Sequence, residues 1–334
     1  MKNWVIQTSF LGDAVLTLPF LYRELEKKHE VLLVAAPRNI SVFQRAKEQG
    51  LKQWSSQLHI ESWDKKKIKG PWALRNFAQS LKKTHFLADH TYCIHRSFST
   101  SLLGLFSGAD KRIGFSSGAA SFFYTDCVPR SWENSRHEIE KNLDLLRKDG
   151  PTLGWSSECP SLLGEKKTQK GVVAFSLGSP WGTKEWSLEN ALALMKNLVT
   201  DGIEVWLLGD KNFAPKADQL VKQLESRLVK NYSGKTGIQE WIDLISQASV
   251  VVSGDSAAVH VACDLNVPVV ALFGPTVVEF GFAPWRKNAR VLALDLECRP
   301  CDIHGPRKCP LGHHRCMKDI KDDTVYAAIR EFLV

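Results

Sequence analysis

The sequence lacks the long apolar run that a membrane span requires. No stretch of its 334 residues approaches the roughly 20 uninterrupted apolar residues that cross a bilayer. Residues 1–5 lead straight into a predicted strand and lack the charged region, apolar region and cleavage site of a signal peptide. The sequence also has no Walker-type phosphate loop and no recognised nucleic-acid module. These absences argue against a membrane-spanning protein and a P-loop enzyme, and we expect a cytoplasmic location.

The composition is that of an ordinary globular protein with a basic surface. Hydrophobic residues make up 44% and charged residues 24% of the chain, and its length suits two domains. The formal net charge of +8 suggests an anionic partner, such as a nucleotide, a phosphorylated lipid or a nucleic acid. The densest basic block, residues 65–69, is followed by Trp72. Lysines beside an interfacial aromatic suit contact with anionic headgroups, although an exposed loop needs no partner.

Strands and helices alternate along both halves of the chain. Apolar runs at residues 4–7 and 31–36, separated by a helix at residues 14–28, form a βαβ unit. Periodicity stops at residues 150–154 and 164–171, and a second α/β series begins at residue 172. The pattern predicts an α/β protein with two doubly wound parallel-sheet domains, at residues 1–162 and 163–334, that face each other across a cleft. The last helix is a candidate for packing back on the N-terminal domain.

The turn after the first strand is a candidate site, because open parallel sheets bind ligands beyond the carboxyl ends of their strands. It contains Gly12, which can adopt backbone conformations that other residues rarely adopt, and then Asp13 at the start of a helix. Asp13 is either a helix cap or a general base that removes a proton from an acceptor hydroxyl.

A second candidate turn covers residues 176–186 and is rich in glycine. It carries the hydroxyls of Ser179 and Thr183 and the ammonium of Lys184, and a helix opens at Ser187. Backbone amides at a helix start, together with a lysine, form an anion site that suits a diphosphate.

The third turn, at residues 253–260, again joins a strand to a helix. Its free N–H groups and Ser256 are suited to phosphate, whereas Asp255 has the alternative role of a helix cap. His260 is either a buried core residue or a catalytic one. Gly274 ends the next strand and opens the same predicted cleft.

In this order the turns resemble glycosyltransferase family 9, the ADP-heptose:lipopolysaccharide heptosyltransferases. The resemblance extends over nearly the whole chain, and its motifs are Phe10-Leu11-Gly12-Asp13, Arg96-Ser97, Arg112-Ile113-Gly114-Phe115, His137 with Asn142-Leu143, Thr183-Lys184-Glu185-Trp186, Gly254-Asp255-Ser256 with His260, and Phe273-Gly274-Pro275-Thr276. It implies the GT-B fold, an ADP-heptose donor, inversion at the anomeric carbon, and no metal or other cofactor in the chemical step. The absence of an Asp-x-Asp pair in a donor-site turn agrees with this expectation.

The resemblance also implies roles for individual residues. Asp13 resembles the family's proposed base and Lys184 its phosphate-binding lysine. The implied donor site comprises Ser179, Thr183, Lys184, Asp210, Asp255, Ser256, Ala257, His260 and Gly274. Asp210 is the candidate partner of the adenosine ribose, and Ala257 stands where family members usually have glycine. The acceptor site that we expect in the N-terminal half comprises Gly12, Arg96 and Arg112. These arginines and the lysines of residues 65–69 would meet phosphates of a lipopolysaccharide core.

A cysteine cluster near the C-terminus admits three interpretations. Cys298 and Cys301 have zinc-ligand spacing, and Cys309 and Cys316 follow without the usual second Cys-x-x-Cys pair. The four residues form a structural zinc site, a set of reduced thiols or disulfides. Many prolines and glycines in this segment indicate a loop held by cross-links instead of a core. The segment resembles that of family members that add the second heptose.

The sequence therefore predicts an inverting glycosyltransferase that moves heptose from ADP-heptose to the lipopolysaccharide inner core. We expect it to work at the inner face of the inner membrane in peripheral contact with the lipid, without nucleic acid. Two alternatives are a nucleotide-sugar epimerase of the same fold and a zinc-stapled nucleic-acid binder that has no enzymatic activity.

Overall fold

A computed structural model describes residues 1–116, 118–130, 135–149, 155 and 159–333. The chain divides into two compact units, Met1–Ser156 and Ser157–Val334. Each unit contains a six-stranded sheet whose paired strands all run parallel. The predicted α/β class with two parallel-sheet halves is confirmed.

The N-terminal unit has the strand order β3-β2-β1-β4-β5-β6. Its strands are β1 (Lys2–Gln7), β2 (Glu30–Ala35), β3 (Leu58–Ser62), β4 (His90–Cys93), β5 (Lys111–Phe115) and β6 (Asp126–Val128). Its helices are α1 (Leu11–Glu26), α2 (Ile40–Glu48), α3 (Gly70–Thr84), α4 (Phe98–Phe106) and α5 (Glu138–Leu143). A 3-10 helix continues α5 over Asp144–Asp149.

The C-terminal unit has the strand order β12-β11-β10-β7-β8-β9. Its strands are β7 (Val172–Ser176), β8 (Glu204–Leu208), β9 (Val229–Asn231), β10 (Val250–Gly254), β11 (Val269–Phe273) and β12 (Ala289–Ala293). Its helices are α6 (Leu188–Thr200), α7 (Ala214–Leu224), α8 (Ile238–Gln247), α9 (Ala257–Asp264), α10 (Arg315–Lys318) and α11 (Asp322–Arg330).

Central strands in both units are buried on both faces. In β7 and β11 every residue is buried, which explains why these strands appear in the sequence as continuous apolar runs without alternation. Each sheet reverses its strand order once, between β1 and β4 in the first unit and between β7 and β10 in the second. Such a reversal opens a crevice at the carboxyl ends of the two strands, and ligands bind there in this class of sheet.

The buried carboxyl of Asp264 anchors the segment that leads into the C-terminal unit by accepting backbone hydrogen bonds. The backbone N–H groups of Leu162 and Leu163 donate to Asp264 Oδ2 at 2.9 and 2.7 Å. Arg286 adds a bond from Nη2 to the carbonyl of Cys159 at 2.8 Å. The division between units therefore lies a few residues before the predicted boundary at residues 162 and 163, and the predicted linker at residues 150–154 lies outside the described residues.

Helix α11 contributes its apolar side chains to the core of its own unit. Val325, Ala328 and Ile329 are buried in the C-terminal hydrophobic cluster, and the helix packs against α6. This apolar face is used within the C-terminal unit, where the sequence analysis had considered packing on the N-terminal one.

We predict that Asp264 makes the stability of the chain depend on pH. Burial raises the pKa of its carboxyl to about 6 from the ordinary 3.8, although the N–H groups of Leu163 and Leu162 and the Arg286 charge act in the opposite direction. At a pH between these two pKa values the folded chain therefore binds a proton that the unfolded chain does not. The protonated carboxyl favours the folded chain at low pH, and this stabilisation is lost as the pH rises through about 6. The contribution is at most about 3 kcal/mol, which is two pH units at ~1.36 kcal/mol each.

Asp264→Asn cannot ionise and should lose this dependence. Urea unfolding at pH 4.5 and pH 7 gives the free energy of unfolding of the wild type and of the variant. The pH dependence due to Asp264 appears as a change, between the two pH values, in the difference between these free energies. Asp110→Asn, which removes an exposed carboxyl, is the matched control. An unchanged difference at the two pH values would show that Asp264 stays ionised in the folded chain.

Candidate active site

Three neighbouring loops of the C-terminal sheet bring Lys184, Asp255 and Thr276 together. These residues follow β7, β10 and β11, which are adjacent in the sheet. Lys184 Nζ lies 2.5 Å from Asp255 Oδ2, and the Thr276 hydroxyl donates to the same oxygen at 2.8 Å. Both side chains of the ion pair are about nine-tenths buried. The pair therefore lies at the reversal of strand order, where a ligand is expected.

The start of α9 lies directly beside this ion pair. Ser256 caps the helix by accepting the N–H of Ala258 at 3.3 Å, and its hydroxyl lies 2.9 Å from that of Ser253. Ala257 is the first residue of the helix. An ammonium group and the positive end of a helix dipole converge here, and both attract the oxygens of a phosphate group.

Two glycines of this region allow close backbone packing. A Cβ atom on Gly254 would lie 2.7 Å from the carbonyl oxygen of Lys184, and one on Gly274 would lie 2.5 Å from Met317. Either side chain would force its neighbours apart. The structure thus gives Gly274, predicted to bind the donor, a packing role at the end of β11.

The predicted donor residues Ser179, Asp210 and His260 are engaged in local structure. Ser179 Oγ accepts the N–H of Trp181 at 3.1 Å. Asp210 is exposed and accepts N–H groups of Asn212 and Phe213, so it stabilises the turn before α7. His260 is buried on α9 and stacks against Trp285 at 6.1 Å between ring centroids, which is the core environment that the sequence analysis had considered.

The cysteine-rich segment holds the loops of the ion pair in place. Arg299 donates to the carbonyls of Gly274, Leu294 and Thr276, and Cys301 N donates to Pro275 O at 2.9 Å.

The same part of the chain also fixes the loop after β7. The Thr183 hydroxyl donates to Pro306 O, and His314 Nε2 lies 2.8 Å from Thr183 O. Trp186 Nε1 donates to Ile320 O at 2.9 Å. Sequence reasoning missed Arg299, because no local pattern shows that this segment reaches the loops.

The interpretation of this segment as a cross-linked loop without a core is only partly correct. Cys316, Met317 and Ile320 are buried and belong to the C-terminal hydrophobic cluster. The segment therefore supports the neighbouring loops by apolar packing in addition to hydrogen bonds.

All eight cysteines of the chain are free thiols in the structure. Burial is the largest single effect on the pKa of Cys309 and raises it, but the backbone N–H groups of residues 311–314 bond to its sulfur and together lower the pKa below its usual value. Burial raises the pKa of Cys316 to about 11. Within the described residues, no three or more His, Cys, Asp or Glu side chains are grouped as metal ligands. A structural zinc at Cys298, Cys301, Cys309 and Cys316 therefore stays a prediction.

In the N-terminal unit, Asp13 lies in the first turn of α1. Its Oδ2 accepts the N–H of Phe10 at 3.2 Å, which is the bond of a helix cap. Its carboxylate also lies within electrostatic range of Arg96, which follows β4. Both residues are partly buried at the reversal between β1 and β4. The capping bond occupies one side of the carboxylate and is compatible with a further role.

A second ionic pair lies beside Asp13 and was missed by the sequence analysis. Arg130 Nη2 lies 2.6 Å from both oxygens of the buried Glu138, at the start of α5. Asn142 of the same helix donates to Leu16 O at 3.2 Å and ties α5 to α1. Burial raises the pKa of Glu138 to about 7; Arg130 opposes this rise, whereas the Asp13 carboxylate adds to it.

The other predicted acceptor residues are placed differently. Gly12 is in the first turn of α1, next to Asp13. The Arg112 side chain donates to the carbonyls of Phe123 and Ala109 at 2.9 Å each, so it stabilises the loops around β5. Of the predicted acceptor arginines, only Arg96 accompanies Asp13.

Comparison with known proteins identifies the family. The family model described as "Glycosyltransferase family 9 (heptosyltransferase)" matches residues 74–308, well over half of the chain. The chain belongs to glycosyltransferase family 9.

Among relatives of this family 9 glycosyltransferase, lipooligosaccharide heptosyltransferase 2 of Campylobacter jejuni is 24% identical over 99% of both chains. Lipopolysaccharide heptosyltransferase 2 of Escherichia coli K12 is 24% identical over 78% of this chain and 79% of its own length.

A structure of E. coli ADP-heptose lps heptosyltransferase II superposes with a TM-score of 0.77 at 22% identity and covers 100% of this chain and 98% of the other. This likeness confirms the predicted GT-B fold. In the part of the chain that the structure describes, no helix is both long and apolar enough to cross a membrane.

We predict strong coupling between Lys184 and Asp255 in this glycosyltransferase. Lys184→Met leaves a buried carboxylate with Thr276 as its donor, and losing one partner of a buried pair typically costs about 3–5 kcal/mol. Lys184→Met combined with Asp255→Asn removes the uncompensated charge, so we expect the double variant to regain at least about half of the loss.

A double-mutant cycle by denaturant unfolding measures this coupling. Lys230→Met is the matched control, because its pair with Glu204 has the same 2.5 Å separation but a half-exposed lysine. Exposed pairs contribute about 0–1 kcal/mol, so this control should change stability little. Additive effects of the Lys184 and Asp255 substitutions would contradict the prediction.

Proposed function

We propose that this chain transfers heptose from ADP-heptose to an acceptor of the lipopolysaccharide inner core, with inversion at the anomeric carbon. The observation that carries the proposal is the buried ammonium of Lys184 beside the start of α9, in a chain of the heptosyltransferase family. This arrangement suits a diphosphate leaving group. The relatives named heptosyltransferase 2 further support an acceptor that already carries one heptose.

The C-terminal unit would hold the donor. Lys184 and the N–H groups at the start of α9 would contact the diphosphate, and Ser256 would present its hydroxyl to the same oxygens. Asp255 holds the ammonium in position before the donor arrives. As the bond between the anomeric carbon and the diphosphate oxygen breaks, negative charge grows on ADP, and the ammonium stabilises that charge where it develops.

The N-terminal unit would bind the acceptor and supply the base. Asp13 would accept the proton of the acceptor hydroxyl while that oxygen forms its bond to the anomeric carbon. ADP leaves from the opposite face with the electron pair of the broken bond, so the configuration inverts. Arg96 lies within electrostatic range of Asp13 and places a positive charge beside the proposed base.

We predict that Asp13→Asn lowers turnover roughly hundred- to ten-thousandfold, the range typical of a lost general base. The amide oxygen can still accept the N–H of Phe10, so stability should barely change. ADP-heptose affinity should be unchanged, because the donor is assigned to the other unit. Steady-state kinetics and calorimetry measure these quantities, with Asp110→Asn as the control for losing an exposed carboxyl.

Near-normal turnover of Asp13→Asn would leave Asp13 as a helix cap only. Incubating the wild type with ADP-heptose alone separates the proposal from the epimerase alternative, because transfer requires an acceptor. An epimerised nucleotide sugar formed without acceptor would contradict the proposed reaction.

We further propose that the N-terminal unit meets the anionic lipid surface that carries this acceptor, at the inner face of the inner membrane. Trp72, near the start of α3, is 74% exposed, and Arg75 lies over its ring at 5.7 Å. Residues 65–88 contain no aspartate or glutamate. Phe98 on α4, which packs beside α3, is also exposed, as is Phe122 in the 3-10 helix that packs against α4. Exposed aromatic and basic side chains together suit an anionic bilayer interface.

We predict that replacing Lys66, Lys67 and Lys69 by serine weakens binding to vesicles containing anionic phospholipid by roughly hundredfold, since each lysine near such a surface contributes about 1 kcal/mol. Cosedimentation measures the partition. The matched control replaces Lys170, Lys196 and Lys222 of the C-terminal unit, which are exposed and carry the same total charge. Equal binding of both triple variants would rule out this surface as the docking face.

A further inference from the structure

Two aromatic rings stack on each other in the loops around Lys184. The Trp181 indole belongs to the loop after β7, and the His304 imidazole belongs to the cysteine-rich segment. Their ring centroids are 5.9 Å apart and their planes differ by 12°. Trp181 is partly buried and His304 is exposed. The steps of the proposed reaction described above use neither ring.

Trp181 is joined to Lys184 by a single tight turn. Gly182–Lys184 form a 3-10 helix with Trp181 at its N-cap, and the N–H of Lys184 donates to Trp181 O at 2.8 Å. In a 3-10 turn, side chains three residues apart lie on the same side. The indole therefore extends from the side of the turn that also carries the ammonium of Lys184.

His304 reaches the same place from the cysteine-rich segment. The next residue, Gly305, is buried with a φ of +75°, and a Cβ on it would lie 3.4 Å from Lys184 Cε and 2.9 Å from Pro275. A side chain at this position would force the two loops apart, so the backbone here lies directly against the lysine stem. The N–H of His304 donates to Asp302 Oδ1 at 2.9 Å and holds the turn that presents the imidazole.

The segment that carries His304 lies on the side of the ion pair away from β8. Gly305 packs against Pro275, which follows β11, whereas Asp210, the candidate partner of the ribose, follows β8. In the sheet order, β8 and β11 flank the central strands β7 and β10 on opposite sides. A donor with its ribose near β8 and its phosphates at Lys184 would therefore direct its sugar towards the stacked rings.

The two rings also have the chemistry that suits a sugar. The C–H groups on the face of a sugar ring pack against flat aromatic surfaces, and its hydroxyls require hydrogen-bonding groups. An indole offers a large apolar face, and an imidazole offers nitrogens that donate or accept. Adenine stacks on aromatic rings as well, so it is the position on the side away from β8 that favours the sugar.

We propose that Trp181 and His304 form the part of the donor site that recognises the sugar of the nucleotide sugar. The rings would pack against its C–H groups, and the imidazole would bond to one of its hydroxyls. The pair would then set the affinity for the nucleotide sugar without changing that for the nucleotide. This inference rests on the proposed function, because it takes ADP-heptose as the donor.

Calorimetric titration of the full chain with ADP and with ADP-heptose tests the inference. We expect Trp181→Ala and His304→Ala each to lower the affinity for ADP-heptose roughly three- to tenfold, the scale of one lost aromatic contact, and to leave the affinity for ADP unchanged. Trp181→Phe keeps a flat ring and should bind ADP-heptose more tightly than Trp181→Ala. His313→Ala is the matched control, because His313 is a partly exposed histidine of the same segment whose Nδ1 accepts the N–H of Arg315. It should bind both ligands as the wild type does.

ADP-heptose affinities of Trp181→Ala and His304→Ala equal to that of the wild type would overturn the inference. An equal loss of ADP and ADP-heptose affinity would also overturn it, since that result indicates a displaced Lys184 or a contact with adenine. His304→Ala keeps the test open if Trp181→Ala does not fold, because His304 is exposed. A wild type that binds ADP but not ADP-heptose would contradict the proposed function and this inference with it, so the two failures are distinguishable.

Discussion

Each parallel sheet reverses its strand order once, and this constraint places the charged residues of both candidate sites. At the reversal in the C-terminal unit, the loops after β7 and β10 separate in opposite directions and leave room for a ligand. Lys184 and Asp255 occupy these two loops and form a buried pair. The corresponding reversal in the N-terminal unit holds Asp13 and Arg96. Because the strands are rigid and buried, the loops that follow them inherit fixed positions.

The two sites differ in how their charges are compensated. In the C-terminal unit the ammonium of Lys184 has a carboxylate partner, and Thr276 shares that carboxylate. The pair is therefore held in position before any ligand binds, and a diphosphate would meet a cation that is already oriented. In the N-terminal unit the ammonium of Lys65 has hydroxyl partners, from Ser97 and Thr100. The carboxyl of Glu138 is buried there and lies within electrostatic range of Arg130 and Asp13.

Residues far apart in sequence support the C-terminal site. Arg299 binds three backbone carbonyls, two of them in the loop after β11, and His314 contacts the loop that carries Lys184. Met317 packs against Gly274 and belongs to the core. The cysteine-rich segment therefore acts as a brace for the loops around the ion pair, through hydrogen bonds and apolar packing that are present with free thiols.

The sequence alone determined the alternation of strands and helices, the presence of two parallel sheets and the turns that carry Asp13, Lys184 and Asp255. These features follow from local periodicity and from glycine or capping residues at strand ends, so a single chain is enough to recognise them. Boundaries were less exact: the helix predicted at residues 14–28 is α1, which begins at Leu11 and ends at Glu26.

Only the tertiary structure decided which charged groups meet. The pairing of Arg130 with Glu138, the hydroxyl and imidazole partners of Lys65 and the contacts of Arg299 join residues by folding and not by spacing. In the folded chain the Arg112 side chain also donates hydrogen bonds to backbone carbonyls, and the His260 ring packs against aromatic rings. A side chain's charge is readable in the sequence, but its burial and its neighbours, which set its pKa and its role, depend on strand order and on packing between distant segments.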